Sequence, residues 1–316
     1  MWTAPRGPVT LRSCSTGSPP GILHPIYRPM LTKAGSMAGK DVLRRAYVWA
    51  GGRRVRLLRD EVAQRRLGNA VVNDAGIAIH IDPADARGRE LYRRGGVRDV
   101  EGVKLFRRLV DEFNPTVVVD VGANYGEVAL SCRYAPSVEV HLVEANPRLV
   151  KRLRRSAAPL GARVHSGAAS DRPTRLRLNM NGWYSGRSST RPMAGVTRAT
   201  EVEAFRLDDR IDVKPEDRLL FKIDVEGAEM DVLRGMGGLL DGCAAWMGMV
   251  EVVWMSDAEL DELRAQYRLT AGRSVTLEAV ALPDVPSSVL RDRSTQKKMR
   301  IAKDVVVEPA PSEACQ

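Results

Sequence analysis

The chain has 316 residues, 44% hydrophobic and 28% charged, a composition suited to a globular protein with one large core or two modest ones. No stretch approaches the roughly 18 apolar residues of a membrane-spanning helix, and the first residues lack the apolar run of a secretory leader. The net charge of +10 sits entirely in residues 1–66, which hold 13 Lys/Arg against 3 Asp/Glu; the rest carries 36 of each sign and so lacks the basic footprint of a nucleic-acid-binding body.

The four cysteines (Cys14, Cys132, Cys243, Cys315) show no CxxC spacing. That pattern reads as unpaired thiols of a cytoplasmic protein, with neither a disulfide frame nor a zinc site.

In chain order, residues 1–36 are rich in Pro, Gly, Ser and Thr without periodicity, and are expected to be disordered. Residues 37–100 read as a basic helical arm followed by a small β extension. The arm, 40–67, is split by Gly51 and Gly52 and has two readings: a solvated helical collar, or a surface for peripheral contact with anionic membrane. Two short β-like runs lie within 71–81, around the turn signal at 74–76.

Residues 101–310 are expected to form one α/β domain. Leu105, Leu109, Val110 and Phe113 fall at helical spacing, and the helix stops at Asn114-Pro115. Strands are predicted at 116–120, 138–143, 163–165, 219–225 and 246–254, with a further one near 201–207. Asn146 and Pro147 mark a helix start, 229–240 reads as one helix, and Ser256 with Glu259 forms a capping-box signature. Alternation of strand and helix predicts a doubly wound, mainly parallel, Rossmann-like sheet with helices on both faces. Asp120, Glu144, Ala169, Asp224 and Glu251 then mark the carboxyl ends of strands, where such sheets bind ligands.

The chemistry concentrates at those ends. The stretch DVGANYG at 120–126 follows a strand and precedes a helix. Gly122 and Gly126, lacking a Cβ, let the backbone approach a ligand, with Asn124 between them as a further cofactor-side residue, but the GxxxG spacing differs from the GxGxxG of pyrophosphate sites. Asp120 in front of the loop suits a ligand carrying an ammonium group. Glu144 is the expected anchor of an adenosine ribose, about 20 residues after the glycine loop. Ala169 and Ser170 are placed beside the adenine. The run KIDVEGAE at 222–229 drives a buried strand into Asp224, Glu226 and Glu229, and Glu251 adds a fourth acid in the next strand. Buried acids in such number are costly unless some of them serve a function; the rest read as helix caps or as partners of Lys222.

Taken in order and spacing, VDVGANYG (119–126), VEANP (143–147), ASD (169–171), LDD (207–209), KIDVEGAE (222–229) and VLRG (232–235) resemble the FkbM methyltransferase family, over roughly residues 77–254. The resemblance implies a class I methyltransferase fold, S-adenosyl-L-methionine as cofactor, and O-methylation of a hydroxyl on a sugar, glycan or secondary metabolite. It also assigns Glu101 to the cofactor side, as an acid ahead of the first helix. Asp224, Glu226 and Glu251 are the candidate catalytic carboxylates, one of them a general base toward the acceptor hydroxyl. Mg²⁺ held by the same acids is the less favoured use of them. His165 reads as structural, and Trp183, Tyr184, Arg187, Ser188 and Ser189 as a lid over the acceptor or an ordinary loop. Outside this class stands a non-catalytic nucleoside-binding or membrane-docking module. Methylation of nucleic acid is disfavoured, because the fourth strand runs into Asp224-Val-Glu-Gly instead of an Asn/Asp-Pro-Pro-aromatic motif.

Overall fold

The computed structural model of the protein describes residues 68–192, 196–273, 279–281 and 301–310. The expectations for 1–36 and for the arm at 40–67 lie outside these residues. All described residues belong to one compact unit, Ala63–Gln316.

The two β-like runs pair as antiparallel strands β1 (Ala70–Val72) and β2 (Ala78–His80). They lead into a helix that the sequence reading did not anticipate, α1 (Ala86–Arg93), capped by the Asp85 side chain on the Arg87 N–H. Helix α2 (Val100–Phe113) buries Val103, Phe106, Leu109 and Phe113 along one stripe, at the spacing that brings a helix face round to the same side. Asn114 ends it in the left-handed region (φ 50°) just before Pro115.

The main sheet takes β3 (Val117–Val121), β4 (Glu139–Glu144), β5 (Arg163–Ser166), β10 (Arg218–Ile223), β11 (Ala245–Glu251), β12 (Tyr267–Arg273), β13 (Ala279–Ala281) and β14 (Ile301–Pro309). Its order is β13-β12-β14-β11-β10-β3-β4-β5. The five strands from β11 to β5 are parallel; β14, β12 and β13 are antiparallel additions. On β3, Val117, Val119 and Val121 enter one core while Val118 enters the other, so both faces are buried. Helix α3 (Pro147–Ala157), capped by Asn146, packs on the α2 face through Leu149 and Leu153. The opposite face carries α4 (Glu229–Arg234), α5 (Gly237–Gly242) and α6 (Asp257–Gln266), the last with its Ser256–Glu259 capping box in place. Strand order reverses between β3 and β10, which puts the ligand crevice at their carboxyl ends.

Two expectations need correction. The single helix over 229–240 is two short ones, broken around Gly235. A Cβ on Gly235 would lie 2.0 Å from the Ser170 carbonyl oxygen, so the chain turns there to admit that backbone. The segment after β5 does not simply extend the main sheet. It folds as a second sheet, β6-β9-β7-β8, from β6 (Ala168–Ala169), β7 (Thr174–Met180), β8 (Ser188–Ser189) and β9 (Arg198–Phe205). Leu178, Met180, Val202 and Ala204 give it a small core of its own; the landmark Ala169 lies on its strand β6 but packs into the main core.

Candidate functional site

The loop after β3 and the loop after β10 meet at the switch point. Gly122 has φ 76°, and a Cβ there would stand 1.9 Å from the Asp224 carbonyl oxygen; only glycine allows this approach. The Asp224 N–H bonds the Val121 carbonyl at 3.1 Å, closing the seam. Beside the seam lies a cavity whose walls include Gly122 and Asn124, Glu144, Ala168 and Ala169, Asp224 and Glu226, and Arg87 from α1. The loop 181–192 of the second sheet closes one side, with Ser185, Gly186, Ser188, Ser189 and Thr190 on the wall.

That loop is held at both ends of the crevice. Ser185 N–H donates to Asp85 at 3.0 Å, and Asn124 Nδ2 donates to the Ser185 carbonyl at 3.2 Å. On the far side Ser189 Oγ donates to the Glu226 carbonyl at 2.7 Å, and Arg191 pairs with Glu259 at 2.9 Å. Trp183 stays 58% exposed at its edge, and Arg187 is exposed as well.

Glu144 is 5% exposed and receives two backbone N–H groups, from Asn124 at 2.7 Å and Asn146 at 2.6 Å. Burial nevertheless pushes its carboxyl above the usual range. Asn124 holds the left-handed region (φ 54°) to present that N–H, and Gly126 (φ 82°) completes the turn. Asp120 is placed differently. It lies beneath the loop, 1% exposed and off the cavity wall, where its carboxylate pairs with Lys222 Nζ at 3.1 Å. The cation expected from a ligand is thus supplied by the chain itself.

Ala169 is on the wall, whereas Ser170 is buried behind it with its hydroxyl on Asp171. Glu101 sits in the first turn of α2 instead of ahead of it. It does not line the cavity, and its Oε2 is buried with no hydrogen-bond partner among the described residues. His165 stacks on His141, with ring nitrogens 3.0 Å apart, away from the crevice.

The three candidate carboxylates come together: oxygens of Asp224, Glu226 and Glu251 lie within 4.8 Å of one another. Sequence reasoning missed what stands among them. Lys303, at the start of β14, places Nζ 2.9 Å from Glu251, 3.3 Å from Asp224 and 3.3 Å from Asp99. Burial would raise the Asp224 carboxyl, but Lys303, Lys222 and Arg87 outweigh it and hold it well below its ordinary range. Burial and the Asp224 charge push Glu251 the other way, well above. Glu226 differs from both: it is half-buried on the cavity wall and held at φ 57°, which is unusual for a residue with a side chain. Glu229 stands apart, accepting from Val225 and Gly227 N–H and so pinning the loop.

An α/β sheet with this crevice defines a ligand-binding, Rossmann-like fold of the class I methyltransferase type. Residues 120–269 match the methyltransferase FkbM domain, and that segment is a domain of this family. No protein of curated function matches the chain. Among solved structures, a methyltransferase from Geobacter sulfurreducens is 12% identical, with 71% of this chain and 85% of that one covered, at a TM-score of 0.39. A putative caffeoyl-CoA O-methyltransferase from Staphylococcus aureus is 10% identical over 71% and 90% of the two chains, at 0.36. An O-methyltransferase from Bacillus cereus, solved with SAH, is 12% identical over 68% and 82%, at 0.35.

Proposed function

We propose that the protein transfers a methyl group from S-adenosyl-L-methionine to a hydroxyl of a sugar or secondary metabolite. The observation that supports this most is that a buried Glu144 and a half-buried Glu226 line one cavity, on either side of the Gly122 seam. The cofactor, when bound, supplies an electrophilic methyl on a sulfonium centre. The residues present suit it: Glu144 retains lone pairs for the two ribose hydroxyls, and the small Ala168 and Ala169 leave space for a flat base.

Toward the acceptor, Glu226 takes the hydroxyl proton. Asp224 is held too acidic to be an effective base, and Glu251 lies off the wall, paired with Lys303. Lys303 already pairs with Asp224 and Glu251, two of the three acids a divalent cation would need, which favours a metal-free reaction. The lid brings serine and threonine hydroxyls to the wall and the exposed Trp183 ring to its edge, groups that suit a polyhydroxylated acceptor.

The test is transfer of labelled methyl from S-adenosylmethionine to a panel of glycosides. A product label that survives mild base is an ether and supports the reading. Label released as methanol is an ester and contradicts it.

A further inference from the structure

Among the described residues lining the cavity Arg87 is the single basic one, facing three carboxylates, Glu144, Asp224 and Glu226. It comes from α1, outside the matched family domain. Its Nη2 pairs with Glu127 Oε2 at 3.0 Å. Glu127 is itself buried and takes the Arg98 and Asp99 N–H groups on its other oxygen, so the pair is anchored to backbone. Its other neighbours include Asp224, whose charge it faces, and Tyr184 and Gly186 of the lid; a Cβ on Gly186 would stand 2.8 Å from Arg87 Nη1. Arg87 Nε is buried with no hydrogen-bond partner among the described residues. A guanidinium carries five N–H donors in a planar fork; Glu127 takes one edge of it, and the donors left over at the cavity wall suit a ligand carboxylate.

Position on the loop says which carboxylate. Glu144 is tied to Asn124 in the glycine loop, and Arg87 is tied to Glu127, just past that loop's Gly126. A ligand whose ribose rests on Glu144 and whose chain runs along the loop ends beside Arg87.

The geometry points to Arg87 as the residue that binds the α-carboxylate of the cofactor's amino-acid end. This rests on the cofactor reading above. Glu127 holds the guanidinium in place, and the lid contacts at Tyr184 and Gly186 close over it.

The experiment is calorimetric titration of the full chain with two ligands, S-adenosylhomocysteine and 5′-methylthioadenosine, which lacks the amino-acid end. In Arg87→Met, the homocysteine compound should lose about 10- to 100-fold in affinity, the range for a hydrogen bond to a charged group. The thioadenosine should change little, and Arg87→Lys should fall between. If both ligands weaken together, Arg87 only shapes the cavity and the assignment is wrong. If neither weakens in a folded variant, the guanidinium serves another anion, such as an acidic acceptor, and the assignment is equally wrong. Failure of the wild-type protein to bind S-adenosylhomocysteine would instead remove the cofactor reading itself.

Discussion

The Lys303 ammonium group stands 2.9 Å from the Glu251 carboxylate, on neighbouring antiparallel strands at the mouth of the crevice. Asp99, Asp224 and Asp304 close around the same nitrogen. Their fields outweigh burial and raise the lysine well above its ordinary pKa, so it stays charged. Without it, several carboxylates would face one another in a poorly solvated space.

Replacing Lys303 by methionine should therefore lower unfolding free energy by about 2–4 kcal/mol, somewhat less than for a fully buried pair because Lys303 is partly exposed. Adding Glu251→Gln to that variant should recover part of the loss, since the amide takes one acid out of the crowded cluster. Denaturant titration of the two variants checks this. Equal stability of wild type and Lys303→Met would show that the cluster is solvated and the pairing incidental.

Glu144 should dominate cofactor affinity. Its replacement by alanine removes the proposed ribose acceptor and should weaken S-adenosylhomocysteine about 30- to 1,000-fold. The same change strands the Asn124 and Asn146 N–H groups, so Glu144→Gln, which keeps one acceptor oxygen, separates ligand loss from loop disorder. Calorimetry on both variants is the measurement. Unchanged affinity in a folded Glu144→Ala protein would take this residue out of the site.

Glu229 makes a pH-dependent contribution with a defined sign. Burial pushes its carboxyl up to about 7, only partly opposed by the backbone N–H groups it accepts. An unfolded chain titrates glutamate near about 4.3, so the folded state holds the proton more tightly. Its contribution is complete below that pH and is lost as pH rises through about 7. Glu229→Gln should thus flatten the fall in unfolding free energy between about pH 5 and pH 8. Some slope will remain, because Glu144, Glu251 and Asp304 are also raised. Parallel wild-type and variant curves would contradict the assignment.

Much of this architecture is legible in the residues because it depends on local pattern. The β-branched run of β3, the Asn146-Pro147 helix start and the Ser256–Glu259 capping box each signal their structure within a few positions. The convergence of Asp224, Glu226 and Glu251 is likewise readable, since parallel strands deliver their ends to one edge. Long-range partners were hidden. Lys303 reaches the acids only because β14 inserts antiparallel beside β11, and no spacing in the sequence announces that register. Arg87 belongs to a short helix whose arginine-rich composition reads as surface, and only the fold turns it toward the cavity. Asp120 shows the converse. Its neighbours look like a ligand motif, yet the residue opposite it across the ladder is Lys222, which takes the charge.

The central role proposed for this site is that of Glu226 as a metal-free base. The decisive measurement is the initial rate of labelled methyl transfer to a glycoside acceptor, before and after a strong chelator, in wild type and in Asp224→Asn, Glu226→Gln and Glu251→Gln. The wild-type rate should survive chelation. Glu226→Gln should lose about 10²- to 10⁴-fold in rate while keeping its affinity for S-adenosylhomocysteine, because the amide preserves shape and lacks only the proton acceptor. A rate abolished by the chelator and restored by Mg²⁺, or a Glu226→Gln protein with full activity, would contradict it.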